Sequence, residues 1–445
     1  MQYLSNIIFT VLLVATSLTF YLRVKKIRRN IFFGVGYKRI DNKWERLKTM
    51  MLVAIGQSKM TKRPISAVLH IVVYVGFVII NIEVLEIVLD GILGTHRLFA
   101  DFLGSFYDFL IAFFEFLALG VIIVCAIFLA RRFSKRIKRF EGVAMTEWPK
   151  RDALIILYAE IALMTAFLFM NAADLQLQKI EYEGYVQAGS FPVSEFLIPF
   201  LNDLNMQQVF LVERGCWWFH IIGILAFLNY LPFSKHFHII LAFPNVYYSK
   251  LTPNGKFTNM DSVKREVELM MDPNADPYAS NPETNETANG TSVFGAKDIT
   301  DLSWKSIMDA YTCTECGRCT DQCPANQTGK LLSPRKIMMD VRDRAEEYGK
   351  RVDKHGKDVT KIKTLLNDYI TMEELWACTS CNACVEACPV NNDPLAVIVD
   401  LRRYLVMEES KAASELNNMF GNIENNGAPW AFPSADRLNW ANEED

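Results

Sequence analysis

Two stretches of the sequence, CTECGRCTDQCP at 313–324 and CTSCNACVEACP at 378–389, repeat one cysteine pattern, C-x2-C-x2-C-x3-C-P. Eight of the ten cysteines fall in these two stretches. Clustered C-x-x-C runs in a large intracellular segment indicate metal binding rather than disulfides. Three thiolates at this spacing can wrap one iron–sulfur cubane from a short loop. The repeat therefore predicts two [4Fe–4S] clusters.

The fourth ligand of each predicted cluster comes from the opposite motif, as in two-cluster ferredoxins. We expect one cluster on Cys313, Cys316, Cys319 and Cys388, and the other on Cys378, Cys381, Cys384 and Cys323. Zinc is the alternative, but zinc sites use C-x-x-C pairs rather than triplets followed by C-x3-C-P. The residues between the two motifs must then form helices that hold the two loops together.

The chain before these motifs is strongly apolar. Hydrophobic residues make up 51% of the protein and charged residues 22%, which is too apolar for one large soluble protein and too charged for a chain wholly in lipid. Crossing a bilayer takes about 20 apolar residues. Five stretches are long enough, at roughly 4–22, 65–90, 102–130, 153–172 and 209–243.

The distribution of basic residues predicts the topology. The loop 23–63 carries 13 Lys and Arg and the loop 131–152 carries 8, whereas 91–101 and 173–208 carry one each. The positive-inside rule then places the N-terminus outside and everything after residue 243 in the cytoplasm. We expect a multi-pass protein of the bacterial inner membrane with a cytoplasmic cluster domain. The net charge of −3 gives no reason to expect nucleic-acid binding.

The pattern after residue 300 is helical, and no alternating strand signal stands out. The predicted fold class is therefore all-α: a five-helix transmembrane bundle followed by a helical ferredoxin-type domain with two [4Fe–4S] clusters. Helical spacing is visible near 334–349, 359–370 and 394–416. Residues 41–60 are either a helix on the membrane surface or a plain basic connector. The predicted domains are 1–249 (membrane), 250–300 (linker), 301–416 (clusters) and 417–445 (a tail that contacts a partner).

Histidines in the spans are candidate cofactor ligands, because ionisable groups are expensive inside a membrane. His70 and His238 lie at similar depth near the cytoplasmic ends of the second and fifth spans. Two such imidazoles can bind both axial positions of a b-type haem, and hydrogen bonding between helices is the alternative. On one continuous helix His220 would share a face with His238 about 27 Å away, and His236 would point the opposite way, whereas a kink at Pro232 would change this geometry. His220 lies nearer the outer leaflet, where a second haem could be held.

Two of these segments resemble known membrane subunits. HIIGILAFLNYLPFSKHFH (220–238) resembles the fifth span of the gamma subunit of respiratory nitrate reductase, and GQSKMTKRPISAVLHIVVYVGF (56–77) resembles the second span of the related membrane subunit of heterodisulfide reductase. The cysteine segment resembles the small iron–sulfur subunit of that second enzyme. The tail NNGAPWAFPSADRLNW (425–440) resembles a segment that follows the clusters in this superfamily. The chain thus looks like a fusion of the two subunits.

The resemblance implies roles for individual residues. His70 and His238 match the ligands of the haem b nearer the cytoplasm, and His220 matches one ligand of an outer haem. The position of the partner of His220 holds Ile80 in this chain, which departs from the family pattern. Several intramembrane polar residues are either carriers of quinol protons or partners in capping and interhelical hydrogen bonds: Asn81, Glu83, Glu86, Glu115 and Glu160.

The function implied is electron transfer between a quinol, in particular menaquinol, the haem, the two clusters and a soluble partner. The expected partner is a cytoplasmic protein of the heterodisulfide reductase type, which carries Cys-Cys-Gly motifs, because this chain itself lacks adjacent cysteines. Two alternatives stay open: a membrane-anchored redox sensor or scaffold, and an anchor for an organic-acid or glycerol-phosphate dehydrogenase.

Overall fold

The protein is described by a computed structural model over residues 3–36, 39–134, 137–142, 144–253, 255–274, 293–356 and 363–441. Over these ranges it is built of helices and has no strands, which confirms the predicted all-α class. The helices of the first part are Leu4–Ile31 (α1), Lys43–Met50 (α2), Pro64–Leu93 (α3), Ala100–Leu103 (α4), Ser105–Phe133 (α5), Glu147–Lys179 (α6), Met206–Tyr230 (α7), His238–Tyr247 (α8) and Asp261–Met271 (α9). Those that follow are Trp304–Thr312 (α10), Arg318–Asp321 (α11), Pro324–Gln327 (α12), Pro334–His355 (α13), Leu365–Asp368 (α14), Met372–Trp376 (α15), Ala383–Ala387 (α16), Pro394–Met407 (α17) and Ser414–Asn426 (α18).

Five helices, α1, α3, α5, α6 and α7, are long and apolar enough to cross a membrane, as predicted. The ends of α3 follow its sequence: Pro64 occupies the first turn, where its missing N–H is not needed, and Gly94 ends the helix with a left-handed φ of 78°. The start of α7 is held by a capping box between Asn205 and Gln208.

The prediction of one continuous fifth span over 209–243 is wrong. The helix α7 ends at Tyr230 and is followed by two 3-10 turns, Leu231–Phe233 and Lys235–Phe237, before α8 begins at His238. Pro232 has no N–H to continue the helix, and the extended Ser234 accepts a hydrogen bond from the His236 N–H through its hydroxyl. The shared face and spacing expected for His220 and His238 on one helix therefore do not apply.

The membrane bundle is organised around α6, which packs against both α5 and α7. Its core contains the fully buried Phe167 of α6, Ile111 of α5 and Ile221 of α7. Close approach depends on a small residue in α7: a Cβ atom at Gly223 would lie 2.5 Å from the Leu163 side chain of α6. Small residues at such crossings are typical of helix packing in membranes.

In the cluster domain α10, α13 and α17 pack together, and their core is continuous with buried residues at the end of α1 and in the turns after α7. Ile307, Val341 and Leu401 are fully buried there. Ile299, within the predicted linker 250–300, is buried in the same core. Within this linker, residues 254 and 275–292 lie outside the described part of the chain.

In the second half of the chain, the helix predictions hold for the two longer segments with apolar spacing. The segment 334–349 lies within α13, and the segment 394–416 contains α17. Near 359–370 only the short α14 forms, with non-helical backbone at Leu366 and Asn367, and residues 357–362 lie outside the described part. The segment 41–60 forms α2, continued by a π-helical turn at Met51–Ile55.

The cluster domain docks on the basic end of the bundle. At the end of α1 the buried Asn30 donates a hydrogen bond to the Tyr311 hydroxyl at 3.0 Å. Lys26 and Arg29 pair with Asp353 of α13. A Cβ atom at Gly349 would collide with Asn30, so the two helices meet only because this residue is glycine.

Further ion pairs extend this junction, and in each the cation comes from the bundle side and the carboxylate from the cluster domain. Lys235 lies 2.7 Å from Glu315, Arg63 lies 2.5 Å from Asp321, and Lys62 pairs with Glu386. These contacts place the cluster domain against the basic loop that ends at Arg63 and the turns before His238.

Candidate redox centres

The four cysteines predicted to hold the first cluster lie around one cleft. Its lining comprises Cys313, Cys316, Cys319 and Cys388, with Gly317 and Arg335 beside them. A Cβ atom at Gly317 would lie 2.7 Å from an Arg335 guanidinium nitrogen, so glycine lets the loop pass close to that side chain. Cys388, from the second motif, thus joins the three cysteines of the first motif.

The remaining four cysteines form the second group. The Cys384 thiol lies close enough to Cys378 and Cys323 for their charges to interact, so they are called its electrostatic neighbours. Cys378 has Cys323 and Cys381 as electrostatic neighbours in the same sense. Cys323, from the first motif, therefore lies with the cysteines of the second. This is the crossed arrangement that the sequence predicts, although the assignment of ligands stays a prediction.

The two motifs share a backbone shape as well as a spacing. Glu315 and Ser380, two residues after the first cysteine of each motif, have positive φ of 52° and 58°. Gly317 and Asn382, four residues after it, have 72° and 60° and precede α11 and α16. Asn is one of the residues that adopt this conformation at low cost. The two motifs therefore share a loop conformation, and each loop carries three cysteines.

The sulfur atoms are held in dry surroundings with backbone donors nearby. Burial raises the pKa of the Cys313 thiol to about 12 and that of Cys388 to about 11. The Asn392 N–H lies 3.3 Å from the Cys388 sulfur, and the Ser380 N–H lies 3.4 Å from the Cys378 sulfur. Such donors stabilise thiolates and tune cluster potentials. Binding iron at these positions therefore displaces thiol protons.

In the part of the chain with assigned positions, no three His, Cys, Asp or Glu side chains are arranged to hold a single metal ion. The four ligands of a cubane each bind a different iron atom. A cysteine set around a cubane is therefore wider than the set around one tetrahedral ion. The donor set of the cleft, four buried or half-buried thiols, fits the cubane chemistry.

Arginines lie beside both cysteine groups. Arg318, 5% exposed, is an electrostatic neighbour of Cys316 and of His70 in α3. Its guanidinium donates to the Lys59 carbonyl and lies 3.2 Å from the Met60 sulfur. Arg402 donates to the Cys378 carbonyl in the second group and to the Ser380 hydroxyl. These cations offset the negative charge that thiolate ligands carry.

Three histidines lie close together at the junction between the bundle and the cluster domain, on the bundle side of the first cysteine group. His70 has His238 as an electrostatic neighbour, and His236 has both of them. The His236 and His238 rings are 5.7 Å apart between centroids. The expectation that His236 points away is wrong, because the helix breaks before it.

The ring nitrogens at this junction suit a ligand. Nδ1 of His238 lies 2.9 Å from the Lys235 carbonyl, which can only accept, so Nδ1 carries the proton and Nε2 keeps its lone pair. Nδ1 of His70 is buried and has no hydrogen-bond partner among the described residues. An imidazole with a free Nε2 on His238, and a His70 ring whose buried Nδ1 has no partner among the described residues, fit the pair of axial ligands predicted for a haem b.

His220 lies apart from this group. It is 1% exposed, and its Nδ1 lies 2.9 Å from the Leu163 carbonyl, which again leaves Nε2 free. Its nearest ring is Phe167, 5.9 Å away between centroids. Ile80, at the position expected for a partner ligand, is buried in the apolar core and offers no donor atom. Among the described residues, the structure gives His220 no second histidine.

The intramembrane polar residues divide into two kinds. Glu86 accepts hydrogen bonds from the Tyr107 hydroxyl and the Phe99 N–H, and Glu115 accepts from the Val193 N–H. Asn81 donates to the backbone within its own helix. These follow the structural alternative that the sequence left open. Glu83 differs, because one of its carboxylate oxygens is buried without a hydrogen-bond partner among the described residues. Glu160 is half-buried.

Two residues that join the two halves were missed by sequence reasoning. Lys235 contacts both Asp152 and Glu315, at 3.6 and 2.7 Å, and all three side chains are buried. Arg318 was likewise not singled out. Their only sequence signal is position, since one lies between two histidines of interest and the other between two cysteines of one motif.

Comparison with known proteins agrees with the cysteine chemistry. Residues 312–392 match the family model of the 4Fe-4S dicluster domain. The chain is 27% identical over 97% of its length to a probable iron-sulfur-binding oxidoreductase, FadF, of Bacillus subtilis (strain 168), and 25% identical over 98% of its length to the EtfAB:quinone oxidoreductase of Syntrophomonas wolfei. It covers 60% and 59% of these two relatives.

A further relative is of the kind expected. The chain is 32% identical over 102 residues, 23% of this chain and 49% of the relative, to one subunit of the ferredoxin/F(420)H(2)-dependent CoB-CoM heterodisulfide reductase of Methanosarcina acetivorans. No solved structure matches the chain. These similarities support an iron–sulfur electron-transfer oxidoreductase with two clusters beside a set of five apolar helices.

Proposed function

We propose that the protein exchanges electrons between a quinone in the membrane and a soluble oxidoreductase, through a haem b on His70 and His238 and two [4Fe–4S] clusters on the crossed cysteine groups. The single observation that carries this proposal is the junction at Arg318. This one side chain has Cys316 of the first group and His70 of the bundle as neighbours. The charge of Arg318 therefore acts on both candidate centres.

When bound, a haem and two cubanes supply one-electron carriers in series. The chain itself holds the ligands at fixed positions. The Lys235 carbonyl orients His238, and the Asn392 N–H stabilises the Cys388 thiolate. The ion pairs Arg63–Asp321 and Lys235–Glu315 hold the cluster domain against the bundle. Rigid docking of this kind keeps the gap between carriers short.

The soluble partner is proposed to be a cytoplasmic protein of the heterodisulfide reductase type that carries Cys-Cys-Gly motifs. The similarity of part of the chain to a heterodisulfide reductase subunit supports this class. The surface proposed to bind this partner is the tail, where Trp430, Phe432 and Trp440 are exposed. With the carboxylate-rich cluster domain on the cytoplasmic side and the N-terminus outside, the topology follows the basic loops.

A second candidate partner follows from the relative named EtfAB:quinone oxidoreductase, which matches nearly the whole chain. That name pairs a quinone with EtfAB. By analogy, a soluble carrier of the EtfAB type is the alternative donor for this chain. Co-purification from membranes, followed by identification of the bound protein, separates this candidate from the Cys-Cys-Gly protein and from a dehydrogenase for an organic acid or glycerol phosphate.

The test of the electron path uses the intact protein in detergent. We expect iron and haem analysis, with optical and EPR spectra, to give two [4Fe–4S] clusters and at least one haem b. We expect His70→Ala and His238→Ala each to lose the haem Soret band and keep the cluster absorbance, whereas His355→Ala, in the cluster domain, keeps both. A quinol analogue should reduce the clusters in the wild type.

Two results would refute the proposal. Full haem in both histidine variants would overturn the ligand assignment. Clusters that stay oxidised with a quinol analogue, in protein that contains haem, would instead favour a redox sensor or scaffold, since a sensor has no need of rapid electron transfer from quinol.

A further inference from the structure

A second site lies at the end of the bundle remote from the cluster domain. A cavity of about 270 Å³ opens there between α1, α3, α6 and α7. Asn6 of α1, Glu83 of α3, Asp174 of α6 and Trp217 of α7 are among its lining residues. None of the candidate haem or cluster ligands lines it.

The cavity is rich in ionisable groups, and nearly all of them are paired. Like Glu86, three other carboxylates that line the cavity are paired. Asp174 accepts from Arg97 at 2.6 Å and lies 3.3 Å from His96. Glu213 accepts from the Tyr185 hydroxyl at 2.6 Å and from Arg214, and Asp90 accepts from the Arg97 N–H at 2.9 Å. The positive charges of Arg97 and Arg214 are thus already used by their own partners.

Glu83 is the exception. Its residue is 3% exposed, and its Oε2 is buried with no hydrogen-bond partner in the part of the chain that the structure describes. It faces charges from every side: Glu86 on its own helix, Glu115 of α5, Asp174 of α6 and Arg97 of the loop after α3. Three of these four neighbours are acidic.

This setting favours a neutral carboxylic acid. An ionised carboxylate in such a place would lose its hydration without gaining a partner, and the usual outcome is that the group takes up a proton instead. Glu83 lies ten residues before the end of α3 at Leu93, which is about 15 Å of helix. A proton at this depth needs a route to water, and the cavity supplies one.

The cavity can be hydrated. At about 30 Å³ per molecule it has room for on the order of ten waters, and its polar lining offers each of them partners. Trp217, which lines the cavity, is one helical turn from His220, so the inner end of the cavity approaches the middle of the bundle.

We propose that Glu83 binds a proton and exchanges it with water in this cavity, so that the cavity connects the interior of the bundle with the aqueous phase at the end remote from the clusters. The transfer is a simple one: the Glu83 carboxylic acid gives its proton to a cavity water, which leaves a carboxylate and a hydronium ion, and the reverse step restores the acid. This goes beyond the proposed function, which names no proton site.

The test is infrared spectroscopy of the purified full-length protein at neutral pH. We expect a C=O stretching band of a protonated carboxylic acid that is lost in Glu83→Gln. The matched control is Glu86→Gln, one turn along the same helix, whose carboxylate is already hydrogen-bonded, and this variant should keep the band. Transfer into D2O should shift the band in the wild type, because Glu83 contacts exchangeable water.

A second measurement covers the case in which Glu83→Gln does not fold. A hydrophobic carbodiimide, which modifies protonated carboxyl groups, should label Glu83 of the wild-type protein, as mapped by mass spectrometry, and leave Glu86 unlabelled. The proposal is overturned if the band survives in a folded Glu83→Gln, if D2O does not shift it, or if Glu83 stays unlabelled. None of these readouts needs haem or clusters, so failure of the proposed electron path would be seen separately.

Discussion

Replacing Lys235 by Met should loosen the junction between the bundle and the cluster domain. The Lys235 ammonium lies 2.7 Å from Glu315 and 3.6 Å from Asp152, and the side chains are 9%, 2% and 2% exposed. Methionine keeps most of the volume and removes the charge. Glu315 keeps Arg342 at 2.9 Å, but Asp152 is left with the Tyr230 hydroxyl and a backbone N–H.

The size of the effect follows from burial. At an effective dielectric constant of about 20, each of these contacts contributes roughly 5 kcal/mol of attraction before the cost of desolvation. Removing one partner of a buried pair typically costs about 3–5 kcal/mol, because the other charge stays buried and uncompensated. We take about 3 kcal/mol, since Arg342 still neutralises Glu315. Opening of the junction should then become roughly 100-fold more frequent.

Amide hydrogen exchange in the loop 313–319 measures that opening. The matched control is Lys26→Met, because Lys26 pairs with Asp353 across the same junction but is 50% exposed. An exposed pair contributes about 0–1 kcal/mol, so exchange should rise less than tenfold in this control. Equal exchange rates in the two variants would refute the assignment of the buried pair as the main electrostatic contact.

The cysteine groups, the charge beside them and the surface contacts give three further predictions. Cys313→Ser and Cys388→Ser should weaken the EPR signal of the same cluster, and Cys323→Ser should weaken the signal of the other cluster. If Cys388→Ser and Cys323→Ser weaken the same signal, the crossed arrangement is wrong. Arg318→Gln should lower the midpoint potential of the first cluster by on the order of 60 mV in an EPR redox titration, about 1.4 kcal/mol for one electron, and an unchanged potential would argue against a tuning role. Hydrogen bonds from Arg29 and Lys26 lower the pKa of Asp353 below its usual 3.8. The contact is therefore complete above pH 3.8 and is lost as the pH falls through the lowered pKa. Protection from amide exchange at the end of α13 that is lost only above about pH 5 would contradict this.

The sequence was sufficient for features that depend on local spacing. The cysteine repeat predicts two wrapped loops because the ligand chemistry needs three thiols within seven residues. The five spans follow from hydropathy alone. What could not be predicted is the break after Tyr230, since a proline inside an apolar run either bends a helix or ends it. Here the Ser234 hydroxyl captures the His236 N–H and the helix ends.

Contacts between the two halves were beyond sequence reasoning for a different reason. Arg318 and Met60 are 258 residues apart in the chain, and no local pattern relates them. The same limit applies to Glu83 and Glu86. They are the same residue type, three positions apart on one helix, yet one is hydrogen-bonded by Tyr107 and the other has an unpartnered oxygen among the described residues. Only the tertiary packing distinguishes them.

The crossing of the cysteine groups also sets an order for biosynthesis. The group that begins at Cys313 is completed by Cys388, so a ribosome must release the second motif before either set of four thiols exists. By then the five apolar helices have long been translated. On the proposed ligand assignment, the first cubane can be completed only after the second motif has been translated, and a truncation anywhere before residue 388 would leave that cubane one ligand short.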